Sequence, residues 1–148
     1  MSPQATAVSP QAMTEAATTP IYAYNEKNWA RVKASITPNF LYDEVATGRR
    51  LEGADATVEA WKGWGQAFPD SKATIDRTHV AGTDTVVLEL TWRGTHQGAL
   101  QTPAGSLAAT NKRIEVRAVA IVEVSGERAS AQRHFFDMAT LVRQIGVQ

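Results

Sequence analysis

The 148-residue chain contains no cysteine. That excludes a disulfide framework, a thiolate metal site and a cysteine nucleophile, and leaves the compartment open. It also lacks an excess of charge of either sign. Fifteen Lys and Arg balance fifteen Asp and Glu, so no basic field exists to recruit nucleic acid or an anionic membrane. No apolar run approaches the roughly 18 residues of a membrane span. The N-terminus has no charged segment followed by an apolar stretch, so a secretory signal is not expected and a cytoplasmic protein is. Three dispersed histidines, His79, His96 and His134, show no His-x-x-x-His spacing, and no metal site is expected. A G-x-S-x-G elbow, a phosphate-binding glycine loop and a dinucleotide fingerprint are all missing, so no cofactor is expected either.

What is present fits one globular domain with a sizeable core, at 43% hydrophobic residues. Residues 1–13 are uncharged and rich in Ser, Pro, Gln and Ala, which predicts a disordered or partly ordered tail before a single domain over 14–148. Pro20 is expected to interrupt the first helix, with Thr19 as a new N-cap. Asn28 caps a second helix that Thr37-Pro38 ends. Phe40 to Tyr42 reads as a short strand and residues 48–53 as a loop. Val58, Trp61, Trp64 and Phe68 follow helical spacing behind a possible Asp55 cap. After Ser71 the pattern turns to strands, over about 73–81, 86–96, 113–124 and 128–137, with a loop over 98–111 and a hairpin turn at Ser125-Gly126. A short helix over 138–144 closes the chain. Helices first and hairpin-linked strands after predict an α+β fold, with helices packed on one face of a curved antiparallel sheet.

The stretch from Arg133 to Gly146 organises the functional reading. Asp137 stands among Phe135, Phe136 and Met138, an unusually apolar setting for an acid. Alternation puts Asp137, Phe135, Arg133 and Ala131 on one face and His134 on the other. A turn at Ser125-Gly126, pairing Val124 with Glu127, sets Ile114, Val116 and Ala118 beside Asp137, Phe135 and Arg133. In that register Asp137 loses hydration, its pKa rises, and it can exchange protons near neutral pH. The opposite reading is also open. Asp137 directly precedes a helix, and an N-cap carboxylate accepts N–H bonds that lower its pKa. His96 shares strand parity with Trp92, Leu90 and Leu88 and could orient a carbonyl or sit satisfied in the wall. Tyr42, Trp64, Trp92 and Phe135 are candidates to line a pocket for a flat hydrophobic ligand, with Arg133 a candidate to bind its carbonyl.

Four segments carry a likeness to a known family. "AYNEKNW", "WKGWGQAFPD", the strand ending in "GTHQG" and "HFFDMATLVRQIG" occur in the order seen in the SnoaL-like polyketide and ester cyclases of the NTF2-like superfamily. The resemblance spans roughly residues 21–146. Asn111 stands where that family more often carries Thr-Gly-Lys. The likeness implies a conical α+β barrel with N-terminal helices over a deep pocket, and a homodimer. It further implies cofactor-independent intramolecular aldol cyclisation of a hydrophobic, carbonyl-bearing small molecule. Asp137 would be the general acid/base and His96 a second catalytic residue, with Arg133 at the carbonyl and Tyr42, Trp64, Trp92 and Phe135 around the substrate. A non-catalytic small-molecule binding protein of the same fold is the alternative. An epoxide hydrolase, isomerase or hydroxylase is a third; the hydrolase needs an Asp-Arg-Asp set, in which Arg133 shares the face of Asp137 and the second aspartate, Asp43 or Asp76, is not placed by the sequence.

Overall fold

The fold comes from a computed structural model, which describes residues 8–146. Helix α1 runs Pro10–Asn25, α2 Trp29–Ala34 and α3 Ala54–Ala67, and the last helix, α4, runs Met138–Gln144. The strands are β1 Ile36–Glu44, β2 Arg49–Glu52, β3 Lys72–Ala81, β4 Thr85–Thr95, β5 Leu100–Thr102, β6 Gly105–Leu107, β7 Arg113–Ser125 and β8 Arg128–Phe136. Six of them form one sheet in the order β2-β1-β8-β7-β4-β3, while β5 and β6 make a separate small hairpin inside the stretch expected to be loop. The α+β architecture expected from the sequence is therefore present. The sheet is not wholly antiparallel, because β1 runs parallel to β8. Among the described residues, no helix is long and apolar enough to cross a membrane.

Helix α1 shows how packing overrides a local signal. Proline in a helix interior removes one backbone hydrogen bond and crowds the preceding turn. Yet the helix passes through Pro20 unbroken, starting from a Ser9 cap whose hydroxyl accepts from the Ala12 N–H. Both sides of the proline are buried: Met13, Ala16 and Ala17 before it, Ile21, Ala23 and Tyr24 after it. The Thr19 hydroxyl bonds the Glu15 carbonyl within the helix rather than capping a new one. The expected tail thus contributes helix from Pro10 onward and Met13 to the core; residues 1–7 lie outside those described. Helix α2 starts at Asn28, whose side chain accepts from the Arg31 N–H. Helix α3 starts from Gly53 rather than Asp55.

The core lies between the helices and the concave face of the sheet. On β7 the even residues from Ile114 to Val124 are inward and largely buried, while Arg113, Glu115, Arg117 and Glu123 point outward. The turn after β7 sits one residue later than expected, with Ser125 paired to Arg128 around Gly126-Glu127. An irregularity on β8 between Ala129 and Ala131 then shifts the ladder, so that Ala120 faces His134 and Ala118 faces Phe136. A one-residue slip exchanges the faces of a strand. Here it turns Gln132, His134 and Phe136 inward and Arg133, Phe135 and Asp137 outward.

Candidate functional site

Between the helices and the sheet lies a cavity of ≈ 630 Å³, mouth included. Its walls are Ile21 and Tyr24 of α1, Tyr42 of β1, Trp61 and Trp64 of α3, Phe68 and Ser71 beyond it, Trp92 of β4, Ile114 and Val116 of β7, Gln132, His134 and Phe136 of β8, and Leu141 of α4. The apolar, largely aromatic lining suits a flat hydrophobic ligand. Trp64, Trp92 and Phe136 are only partly buried.

The polar content of this wall is concentrated in one chain of hydrogen bonds. The Trp92 indole N–H donates to His134 Nε2 at 3.2 Å. Since Nε2 accepts, the proton of the neutral ring is on Nδ1, which lies 3.1 Å from the Tyr42 hydroxyl. That hydroxyl in turn donates to Glu44 Oε2 at 2.7 Å. Each donor in the series has one acceptor, from indole through imidazole and phenol to carboxylate. Glu44 has no exposed surface. It also accepts from the Trp64 indole N–H at 2.8 Å, from the Thr47 hydroxyl at 2.6 Å, and from Arg49 Nη2 at 3.1 and 3.3 Å.

These contacts set the charges. Burial alone pushes the Glu44 carboxyl up, but the hydroxyls of Thr47 and Tyr42, the Arg49 charge and the Trp64 N–H together hold it below the usual carboxylate value. Glu44 is therefore ionised. Burial lowers the His134 pKa to about 4, against a smaller opposing pull from Glu44, so the imidazole is neutral at pH 7. Burial, with the Glu44 charge beside it, raises Tyr42 well above the ordinary phenol value, so it keeps its proton.

Of the residues singled out from the sequence, Tyr42, Trp64 and Trp92 are brought together in this cavity. Asp137 is not: it is exposed, on the outer face. One of its carboxylate oxygens accepts from the Ala139 N–H at 3.0 Å and the other from the Thr140 hydroxyl at 2.7 Å, so it caps α4. The Thr140 hydroxyl and backbone, then the Ala139 N–H and the Arg143 charge, lower its pKa. The expected apolar setting and raised pKa are corrected on both counts, because the register shift exchanges the faces. Arg133 and Phe135 are exposed on the same outer face for the same reason, Phe135 at 38%. Asp43 neighbours Arg133 across the β1–β8 ladder, outside the cavity. Among the described residues no aspartate or arginine lines the cavity.

His96 is fully buried but stands behind Phe68, their ring centres 5.3 Å apart, and is not part of the cavity wall. Its Nδ1 meets the Thr110 hydroxyl at 3.1 Å, and its carbonyl accepts from the Thr110 and Asn111 N–H groups. Burial lowers its pKa. Its observed contacts fasten the 97–112 segment.

The residues that sequence reasoning passed over are His134, Glu44 and Gln132. A signal for His134 existed. The alternation of β7 is unambiguous, and either of two adjacent registers of β8 satisfies it; only the irregularity near Ser130 selects the one that turns His134 inward.

The same fold occurs in several solved structures. TsrD from Streptomyces laurentii superposes with a TM-score of 0.79 at 20% identity, covering 95% of this chain and 98% of that one. AclR from Streptomyces galilaeus gives 0.78 at 19% identity, over 93% and 83% of the two chains. An LEH-like epoxide hydrolase from M. tuberculosis gives 0.70 at 16% identity, over 91% and 90%. At these identities the likeness is one of fold, the NTF2-like cone expected from the sequence. No curated protein matches this chain. The family assignment comes from the sequence itself, which matches the SnoaL-like polyketide cyclases continuously over residues 14–145, from within α1 to the end of α4. A match running through every element that builds the cavity leaves one conclusion: this chain belongs to the SnoaL-like polyketide cyclase family.

Proposed function

We propose that the cavity is the active site of an acid/base enzyme needing no cofactor, which cyclises a hydrophobic, polyketide-like carbonyl compound by intramolecular aldol addition. The observation that carries this reading is the His134–Tyr42–Glu44 chain opening onto a largely apolar cavity. His134 takes the acid/base role first expected of Asp137, and Asp137 positions α4.

The chemistry follows from the proton inventory. His134 is neutral, with its Nε2 lone pair available as a base once the Trp92 N–H lets go. Nε2 takes a proton from a carbon beside a carbonyl, and the bonding pair moves into the enolate. The imidazolium's Nδ1–H then donates to Tyr42, whose own O–H donates to the Glu44 carboxylate, so the new positive charge faces a fixed negative one. The Trp92 N–H, having lost its acceptor, is free to donate to the enolate oxygen. The enolate carbon adds to a second carbonyl of the same molecule, and the alkoxide takes the proton back from Nε2. A base this weak works only on an acidic C–H, which points to a carbon flanked by two carbonyls.

The test is deuterium exchange at the α-carbon of an aryl β-ketoester in D2O, followed by proton NMR. Wild type accelerates the exchange and His134→Gln loses about 10²–10⁴-fold. Asp137→Asn keeps the exchange close to the wild-type rate, since Asp137 lies outside the cavity. If Asp137→Asn abolished exchange while His134→Gln left it intact, the roles would be reversed.

One observation favours a second reading, a binding protein without turnover: every polar side-chain atom of the Trp92–His134–Tyr42–Glu44 chain already has a partner within the protein. Such a protein would bind the ketoester and exchange nothing above background.

A further inference from the structure

Two polar groups of the cavity wall stand outside the hydrogen-bond chain: the Tyr24 and Ser71 hydroxyls, which pair with each other at 2.6 Å, and Gln132. Gln132 is 3% exposed, faces inward from β8, and lines the cavity. Its amide makes no hydrogen bond to any described residue, and its polar atoms are not among those sealed from open space. Buried amides are almost always paired, because an unpaired one loses water without replacement. An amide kept in this state in an aromatic cavity is explained by a partner that arrives with the ligand.

We infer that Gln132 anchors the substrate by a neutral carbonyl group, such as a ketone, ester or carboxamide, and selects against the corresponding carboxylate. This rests on the reading of the cavity as the substrate site. Whichever way the amide is turned, it offers N–H donors and one carbonyl acceptor on a single edge. A ligand carbonyl satisfies a donor; a carboxamide satisfies donor and acceptor together. A carboxylate fares poorly on three counts. No lysine or arginine among the described residues lines the cavity, the walls are apolar, and ionised Glu44 stands directly behind Tyr42.

The anchor also fixes distance. Gln132 and His134 are two residues apart on one face of one strand, so their Cα atoms are about 6.5–7 Å apart along it. Phe136 is as far again on the side of α4. A ligand held by Gln132 therefore presents a carbon one ring's width away to His134 and lays its remaining rings toward Phe136 and Trp64.

Four probes of one shape test this: naphthalene, methyl 2-naphthoate, 2-naphthamide and 2-naphthoate. Affinity is read by quenching of the cavity tryptophans, and occupancy by shifts of the Ile114 and Leu141 methyl resonances. For wild type the expected order is amide, then ester, then naphthalene, with the carboxylate weakest. The amide should lead naphthalene by about tenfold, the size of one or two net hydrogen bonds. Gln132→Met should bring amide and ester down to the level of naphthalene and leave naphthalene itself unchanged or tighter. The same preference in Gln132→Met would overturn the anchor and leave the cavity reading standing. Failure of all four probes to move the methyl resonances would overturn the cavity reading and the anchor with it.

Discussion

Glu44 is an ionised side chain with no exposed surface, and its environment explains how. Every group that reaches either oxygen is a donor: Thr47 and Arg49 at Oε1, Tyr42, Trp64 and Arg49 at Oε2. An amide in its place turns an NH₂ against donors in either orientation. Glu44→Gln is therefore expected to cost about 2–3 kcal/mol despite its unchanged shape, because it strands a buried donor. Urea unfolding of the two proteins measures this, and a change under about 0.5 kcal/mol would mean that the carboxylate is not the hub it is drawn as. Glu44 also shows what one sequence conceals at this scale. Nothing local marks it. Its partners come from Tyr42 two residues back, Trp64 twenty residues on, and His134 through Tyr42. Asp137 is the converse. Its position before a helix was legible and correct as a cap, while of its apolar neighbours in sequence Phe136 and Met138 pack toward the core and Phe135 stands exposed on its own face.

Elements carry a different kind of information. The Asn28 cap of α2, the extent of β3, β4 and β7 and the whole of α4 were readable, because capping, alternation and breakers act within a few residues. The course of α1 through Pro20 was not, because burial on both sides of the proline outweighs the lost hydrogen bond. Glycines make a quantitative test at this scale. Gly63 lies mid-helix in α3, and a Cβ there meets nothing within 4 Å. Gly63→Ala should stabilise the protein by about 0.5–1 kcal/mol, the helix propensity difference. Gly98 is the opposite case. Its Cβ would stand 2.1 Å from the Gln66 carbonyl oxygen, where the Gly98 N–H also bonds the Ala67 carbonyl and ties the 97–112 segment to the end of α3. Backbone cannot give way as a side chain can, so Gly98→Ala should destabilise by about 2 kcal/mol or more. Thermal unfolding of both variants separates the two signs, and a stabilised Gly98→Ala would contradict the close approach.

At the scale of the whole molecule, the parallel pairing of β1 with β8 joins the two parts of the sheet and brings together residues about ninety positions apart, Tyr42 with Gln132 and Glu44 with His134. No periodicity within either strand announces it, and it is this pairing that assembles the site. It also places two groups with lowered pKa values side by side at the centre of the fold, which makes the pH dependence of stability a property of the entire chain. An unfolded histidine binds its proton below about 6.5. Folded His134 does so only near 4. Between those values the unfolded state holds more protons, so stability rises with pH. The contribution is complete above about 6.5 and lost as pH falls to about 4, some 3 kcal/mol in all at 1.36 kcal/mol per unit. Glu44 acts in the same direction further down: its contribution is present above the ordinary carboxylate pKa and disappears as pH drops through its lower folded value. Urea unfolding free energies measured from pH 7 to pH 4 should therefore fall in wild type and fall less steeply in His134→Gln, where His96 and the carboxylates of lowered pKa keep a residual slope of the same sign. That glutamine can still accept from Trp92 and donate to Tyr42, but it has no proton to gain. A parallel decline in both proteins would place the acid sensitivity elsewhere and remove the buried, neutral imidazole from the centre of the site.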